Sequence, residues 1–475
     1  MPIPPVDPPR RPRVAVAGAS GFVGSALLPA LAERFDVVAL TRDPSRAPAG
    51  ANGVEWRGCD LFSLLDAEKA LAGADLAVYL VHSMMPSARL VQGSFEDLDL
   101  IAADNFARAA RAAGVRQVVY LGGLLPGSTE GLSRHLASRL EVEEALRAGG
   151  VPVTTLRAGL VVGPGGSSFD MMARLVRRLP AMVCPAWTST RTQPVALGDV
   201  VAVILGVLDE RGTFGATADL GGPQVTTYLG MLEATARALG VRRLFLRVGL
   251  FTPRLSTLWV RLVTGAPREL VAPLVESLSH EMVARDRSLQ LRLVGEGTPF
   301  ETAVGKALSR EAPAGALERM TRRPAARLVR SVQRLPLPRG WDAARAARAY
   351  LAWLPRALWP FLSVEADGER IAFRLRPLRA PLLVLELAAE RSSASRALFY
   401  VRGGLLSARG ARGRLELRET PAGDALLAAI HDFEPRLPWP LYVATQALVH
   451  LAVMRAFGRH LAGRAAAAAE APAVA

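Results

Sequence analysis

Cysteine is almost absent from this chain: Cys59 and Cys184 are the only two in 475 residues. Two thiols exclude a disulfide framework and a thiolate metal centre, and no metal site is expected. Lysine is as scarce. Only Lys69 and Lys306 occur, so arginine supplies nearly all of the positive charge behind a formal net charge of +15. Neither lysine stands four residues after a tyrosine, so no Tyr-x-x-x-Lys pair exists anywhere. Residues 1–11 are rich in proline and lack the apolar core of a secretory signal, which predicts a disordered leader on a cytoplasmic protein. Zinc-finger spacing and RNA-binding signatures are also missing, so no nucleic-acid partner is expected.

The most informative stretch is Arg13-Val-Ala-Val-Ala-Gly18-Ala-Ser-Gly21-Phe-Val-Gly24. Four small apolar residues without a polar interruption read as a strand buried on both faces of a parallel sheet. Glycines then recur every third residue ahead of the helix-like run Ser25-Ala-Leu-Leu-Pro-Ala-Leu-Ala. Gly18 suits a tight turn, Gly21 a close backbone approach to a pyrophosphate, and Gly24 close helix–strand packing. The helix N-terminus would present N–H groups to the phosphates. Pro29 predicts a kink in that helix.

Strand-like runs then alternate with helix-like ones through residues 35–41, 54–61, 75–84, 115–123 and 153–159, with helices over 95–113 and 133–148. This alternation predicts an α/β fold, a Rossmann-type doubly wound parallel sheet. The second strand ends in Thr41-Arg42-Asp43, where an arginine suits a 2′-phosphate and an acid suits free ribose hydroxyls. Arg42 places NADPH ahead of NADH, and Asp43 argues the other way. Asp60 and Leu61 should lie beside the adenine, and the loop Val81-His82-Ser83 beside the nicotinamide.

These residues resemble the extended and atypical short-chain dehydrogenase/reductases, including the NmrA-like and complex-I-accessory branches. The resemblance rests on Gly18-x-x-Gly21-x-x-Gly24, Asp60-Leu61, Leu80-Val-His-Ser, Tyr120-Leu-Gly-Gly, Leu156-Arg-Ala-Gly, Gln193-Pro-Val-Ala-Leu-Gly-Asp199 and Asp219-Leu-Gly-Gly-Pro223. It covers about residues 12–310 and implies an NAD(P)-binding domain with a small substrate lobe after the sixth strand. The implied cofactor contacts are Gly18, Ser20, Gly21, Phe22, Val23, Gly24, Arg42, Asp60, Leu61, Val81, His82, Ser83, Leu121, Gly122, Arg139 and Ala158. Where the family carries its catalytic tyrosine and lysine, this sequence reads His135-x-x-x-Arg139, four apart and on one helix face. His135 and Arg139 are therefore the candidate catalytic residues. A guanidinium stays protonated and cannot relay a proton as lysine does. Its charge also lowers the pKa of a neighbouring imidazole. The expected reaction is hydride transfer to an acceptor that needs little help from a protein acid, such as a quinone or another conjugated carbonyl. The alternative is a non-catalytic NAD(P)-binding sensor or assembly factor.

From Arg319 to Arg356, ten arginines face one acid, Asp342. Residues 311–340 read as an Arg/Pro-rich linker, with peripheral contact to an anionic membrane through it and through Trp353, Trp359 and Phe361 as one reading. Beyond it, strand-like runs over 369–375, 382–387, 397–402, 413–419 and 426–433 precede an apolar helix over 440–457. That layout resembles the helix-grip (START-like) domains and predicts an α+β domain over 341–464 that takes a lipid-like or quinone ligand. An Ala-rich frayed tail is expected over 465–475. The oligomeric state is left open.

Overall fold

The computed structural model describes residues 10–46, 53–82, 88–249, 253–266, 268–309, 328–376, 380–408 and 412–470. The chain divides into two compact units, Met1–Met85 with Asp99–Arg323, and Pro86–Leu98 with Pro324–Ala475. The proline-rich leader, apart from its last two residues, lies outside the described residues.

The first elements are β1 (Arg13–Ala17), α1 (Phe22–Ala32), β2 (Asp36–Thr41), β3 (Val54–Gly58), α2 (Leu64–Leu71) and β4 (Leu76–Tyr79). Next come β5 (Leu90–Gln92), α3 (Phe95–Ala112), β6 (Gln117–Gly123), α4 (Arg134–Ala148) and β7 (Val153–Ala158). The sheet of the first unit has seven strands in the order Thr217–Leu220, β7, β6, β4, β1, β2, β3. Every pair in it is parallel. Val14, Ala15 and Val16 have no accessible surface, as a central strand covered on both faces requires. Strand order reverses between β1 and β4, and the crevice beyond their carboxyl ends is the ligand position of such sheets. Helix α1 continues through Pro29 to Ala32.

After β7 the chain builds the lobe. Its parts include the helices Ser167–Arg178, Tyr228–Ala238, Pro253–Thr264, Arg268–Ser277 and Phe300–Ser309. A two-stranded parallel sheet, Ala181–Cys184 with Leu244–Arg247, completes it. Phe169, Met231 and Phe300 share one buried cluster there.

The second unit is one sheet of eight strands in the order Leu362–Asp367, Arg370–Leu375, Pro381–Leu387, Arg396–Gly403, Arg414–Glu419, Ala425–Phe433, Val329–Pro336, β5. All its pairs are antiparallel except the last. Val329–Pro336 corrects the linker reading: it is an interior strand, paired on both sides. A charge count hides it, because the Arg330 guanidinium is buried against Asp432 at 3.0 Å and Arg334 meets Asp97 at 2.8 Å. Residues 311–327 of the expected linker lie outside the described residues. The rest of the arginine-rich stretch includes the helix Ala343–Ala357.

Arginine is also accommodated elsewhere in this sheet. Glu416 accepts from Arg396 and Arg418, each at 2.7 Å, and Asp432 pairs with Arg414 at 2.8 Å. The other face of the sheet is filled by Leu335, Tyr350, Leu385, Phe399, Leu417 and Phe457. Trp353 is half-buried and packs on Phe457 at 5.3 Å between ring centroids. Trp359 and Phe361 stay exposed.

The last apolar segment forms two helices, Trp439–Ala444 and Gln446–Glu470. Ala447, Met454, Phe457 and Leu461 are buried, one stripe at helical spacing. The alanine run expected to fray from residue 465 instead extends this helix to Glu470, as alanine's helix propensity favours. Burial lowers the pKa of His450 on this helix to about 4. Its stabilising effect is therefore complete above the unfolded value of about 6.5 and is lost as pH falls from there toward 4. Denaturant midpoints measured across that window should fall less steeply in His450→Leu than in the unmodified chain.

Candidate functional site

The glycine turn is built by close contacts that a Cβ would break. Gly18 has φ +85°, and a Cβ there would lie 3.0 Å from the Leu80 carbonyl. A Cβ on Gly24 would come within 2.3 Å of the Gly18 carbonyl oxygen, so α1 touches the turn backbone to backbone. The Gly21 N–H donates to that same oxygen at 2.9 Å. Gly21 caps α1 without a side-chain hydrogen bond, which leaves its first N–H groups directed toward an incoming anion. This is a cradle that suits a dinucleotide pyrophosphate. Phe22 opens α1, and a Cβ on Gly166 would meet its ring at 2.9 Å. Gly166 is the N-cap of the helix Ser167–Arg178, so the lobe is built directly against the turn.

At the end of β2, Arg42 is exposed. The Asp43 carboxylate accepts from the Ser45 N–H at 3.2 Å and the Ser45 hydroxyl at 2.6 Å. This local turn occupies one oxygen of the acid that argued for NADH. Past β3, the Asp60 carboxylate accepts from the Phe62 N–H at 3.2 Å, and the Leu61 carbonyl accepts from Asn105 at 2.8 Å. Ser83 lies outside the described residues.

Between the carboxyl ends of β4 and β6 sits a cluster of charged and titratable groups. His82 Nδ1 lies 2.6 Å from Asp99 Oδ2. An ionised carboxylate only accepts, so Nδ1 carries the hydrogen. Asp99 is fully buried, while about a quarter of the His82 side chain is accessible. The His135 ring stands 5.0 Å from that of His82, centroid to centroid. His135 lies well below the ordinary histidine range, first because of burial, then because of His82 and Arg139. Its Nδ1 has no hydrogen-bond partner among the described residues.

Arg139 is buried and reaches two strand ends. It donates to the Leu121 carbonyl at 3.2 Å and the Val81 carbonyl at 3.5 Å, and lies 4.0 Å from Asp99. Its guanidinium also sits over the Tyr120 ring at 5.2 Å. The Tyr120 hydroxyl donates to the Arg139 carbonyl at 3.0 Å, and burial raises its pKa. Tyr120 is thus no stand-in for the missing tyrosine. Gly122 keeps room for that ring, since a Cβ would come within 2.9 Å of it. The Ala158 carbonyl accepts from the Leu124 N–H at 3.0 Å, tying the end of β7 to the chain leaving β6.

Asp99 escaped the motif reading. The signal was there: Asp99 and Asn105 lie on the same face of α3 as Leu98, Ala102 and Phe106, and all five are buried. Polar groups inside an apolar helix stripe need partners, and those partners are His82 and the Leu61 carbonyl. Other motif residues brace the fold. Asp199 accepts from the Thr298 hydroxyl at 2.9 Å and Asp219 from the Arg285 N–H at 2.9 Å, while Gln193 donates to the Gly222 carbonyl at 2.7 Å.

Residues 18–173 match the model of the NAD(P)H-binding family. They form an NAD(P)H-binding domain. The chain is 33% identical over 113 residues to the auxiliary protein GraX of Staphylococcus aureus, covering 24% of this chain and 37% of that one. It is 29% identical over 194 residues to the ceramide reductase of Caulobacter vibrioides, covering 40% and 59%. The chain therefore spans less than two thirds of either relative. Among solved structures, an NADPH-dependent quinone oxidoreductase of Escherichia coli superposes with a TM-score of 0.51 at 19% identity, over 62% of this chain and all of that one. The first unit has the fold of the atypical short-chain reductases.

The closeness of α1 to the turn sets a test for this NAD(P)H-binding domain. Gly24→Ala should weaken NADPH binding at least about tenfold, or 1.4 kcal/mol. Fluorescence titration of NADPH should show this while the circular dichroism of the chain stays unchanged.

Proposed function

We propose that the first unit is an NAD(P)H-dependent reductase in which His82, held by Asp99, takes over the proton handling of the absent Tyr-x-x-x-Lys pair. The single observation that carries this reading is the 2.6 Å contact between His82 Nδ1 and Asp99 Oδ2 at the carboxyl ends of the central strands. Bound NAD(P)H would supply the hydride. The glycine turn would hold the pyrophosphate, with Arg42 directed to a 2′-phosphate and Asp60 and Leu61 beside the adenine.

Asp99 fixes the tautomer of His82, so that Nε2 is the nitrogen left to exchange a proton with the acceptor oxygen. Arg139 acts as a positioning residue. It joins the ends of β4 and β6 and sets a guanidinium 4.0 Å from the Asp99 carboxylate. His135, kept neutral, can hydrogen-bond an acceptor oxygen but is a poor proton source. A single histidine supplying one proton suits a quinone-like or other conjugated carbonyl, where charge delocalises over the acceptor. The ceramide reductase among the relatives supports an apolar, lipid-like acceptor.

A second reading has its own support. The missing Tyr-x-x-x-Lys pair and the likeness to a protein named as auxiliary favour an NAD(P)H-binding sensor without turnover. Single-turnover oxidation of bound NADPH against a panel of quinones and enones separates the two. No oxidation with any acceptor would leave the sensor.

With an accepted substrate, His82→Ala should lower kcat about a hundredfold, the low end for general acid assistance, and leave NADPH affinity within a factor of two. Asp99→Asn should also lower kcat, because an amide can turn either its oxygen or its NH2 toward His82 Nδ1 and no longer fixes the tautomer. Equal rates in His82→Ala and the parent chain would remove His82 from the reaction.

Cofactor choice gives a separate test. NADPH should bind more tightly than NADH, and Arg42→Ala should erase most of that difference by weakening NADPH alone. Parallel titrations of both cofactors measure it, and equal affinities in the unmodified chain would refute the assignment.

A further inference from the structure

The lobe carries an apolar surface that the fold leaves uncovered. In its two-stranded sheet the register pairs Leu246 with Val183 and Leu244 with Ala181. Met182 and Cys184 turn inward to a buried cluster, so Val183, Leu244 and Leu246 share the outer face. Their exposures are 51%, 57% and 47%, and Val248 follows at 37%. Val263 of the helix Pro253–Thr264 packs against the same cluster, and this helix adds Leu258 and Leu262, exposed at 50% and 75%. Exposed aliphatic residues are ordinary when scattered. Three side by side on one sheet face form a patch that marks an interaction surface, and Leu258 and Leu262 add exposed aliphatic area elsewhere on the same lobe.

The charge around the patch names the occupant. From residue 241 to 264 the sequence holds five arginines and no acid. Arg242 and Arg247 are exposed beside the leucines. An apolar face flanked by the exposed Arg242 and Arg247 fits an anionic bilayer, where aliphatic side chains enter the acyl boundary and guanidinium groups meet phosphates. The patch is also tied to the site. Val260 of Pro253–Thr264 is buried with Val271 and Val275 of the helix Arg268–Ser277. The Ser277 hydroxyl lies 2.8 Å from that of Ser133, two residues before His135.

We propose that the lobe docks on an anionic membrane through Val183, Leu244, Leu246, Leu258 and Leu262, and delivers an apolar acceptor from the bilayer to the His82 site. The delivery half rests on the reductase reading; the docking half does not.

Flotation of the full chain with vesicles tests docking. Vesicles of mixed phosphatidylglycerol and phosphatidylcholine should carry the protein, and phosphatidylcholine alone should carry on the order of tenfold less, as should the mixed vesicles at high salt. Leu244→Glu/Leu246→Glu should abolish flotation, and Arg242→Glu/Arg247→Glu should remove the preference for anionic lipid. Unchanged NADPH affinity would confirm that both variants are folded. Flotation that survives both double variants overturns the proposal, and so does flotation lost only in Leu448→Glu/Val449→Glu on the C-terminal helix. A concentration-dependent dimer that Leu246→Glu dissociates, without flotation of the parent chain, also overturns it by making the face a contact between copies. Delivery is read from turnover: Leu244→Glu/Leu246→Glu should slow reduction of a long-chain quinone embedded in vesicles and spare a short-chain soluble one. Equal slowing of both overturns delivery. If neither quinone is reduced by the parent chain, the reductase reading fails while flotation still decides docking.

Discussion

The first unit depends on how closely one helix can approach one strand. Helix α1 packs so near the end of β1 that a single methyl group at Gly24 would overlap the Gly18 carbonyl oxygen. Such proximity is available only to glycine, and it brings the α1 N-terminus over the reversal point of the sheet. From there the helix dipole and the first free N–H groups of α1 face the crevice. The lobe is aligned by the same contact, because Phe22 on the first turn of α1 meets Gly166, where the lobe's first helix begins. One steric constraint thus sets the cofactor cradle and the cover beside it.

The second recurrent constraint is arginine. A chain that carries its positive charge on guanidinium groups must place some of them inside, where an unpaired charge is very costly. The second unit answers with paired acids in the sheet, Glu416 between Arg396 and Arg418, and Asp432 between Arg330 and Arg414. Removing either acid would take an ion-pair partner from two guanidinium groups at once, so these acids matter more to folding than their number suggests. The same pairing explains why a stretch counted as a basic linker contains an interior strand.

Much of the first unit was legible because its signals are local. The glycine spacing, the uninterrupted apolar strands and the amphipathic helices each specify their own element. Strands 370–375, 381–387, 396–403, 414–419 and 425–433 of the second unit were legible to within a residue or so for the same reason. Long-range pairing was not. β5 is three residues with no strand signature, and only its parallel partner Val329–Pro336 makes it one. Leu362–Asp367 was missed too, with three of its six residues polar or charged. At the site, the residues at strand ends were visible as motif positions. Asp99 was hidden because its meaning lies in a partner seventeen residues earlier on another element.

Lysine scarcity and the His82–Asp99 pair are connected by proton chemistry. Relaying a proton near neutral pH needs a group that can lose one, and a guanidinium cannot. Arg139 can therefore replace lysine as a fixed charge and a strut but not as a carrier. In the proposed reductase, transfer falls to a side chain that titrates near neutrality, and among the twenty that is histidine. Of the two histidines at the strand ends, His135 is held neutral by burial and by two neighbouring cationic or titratable groups. His82 is less buried as a side chain, although its Nε2 atom is itself covered, and it has a buried carboxylate to hold its tautomer. The proposed division of labour follows: one imidazole would exchange protons, the other is desolvated against doing so, and the arginine between the strand ends would keep their geometry.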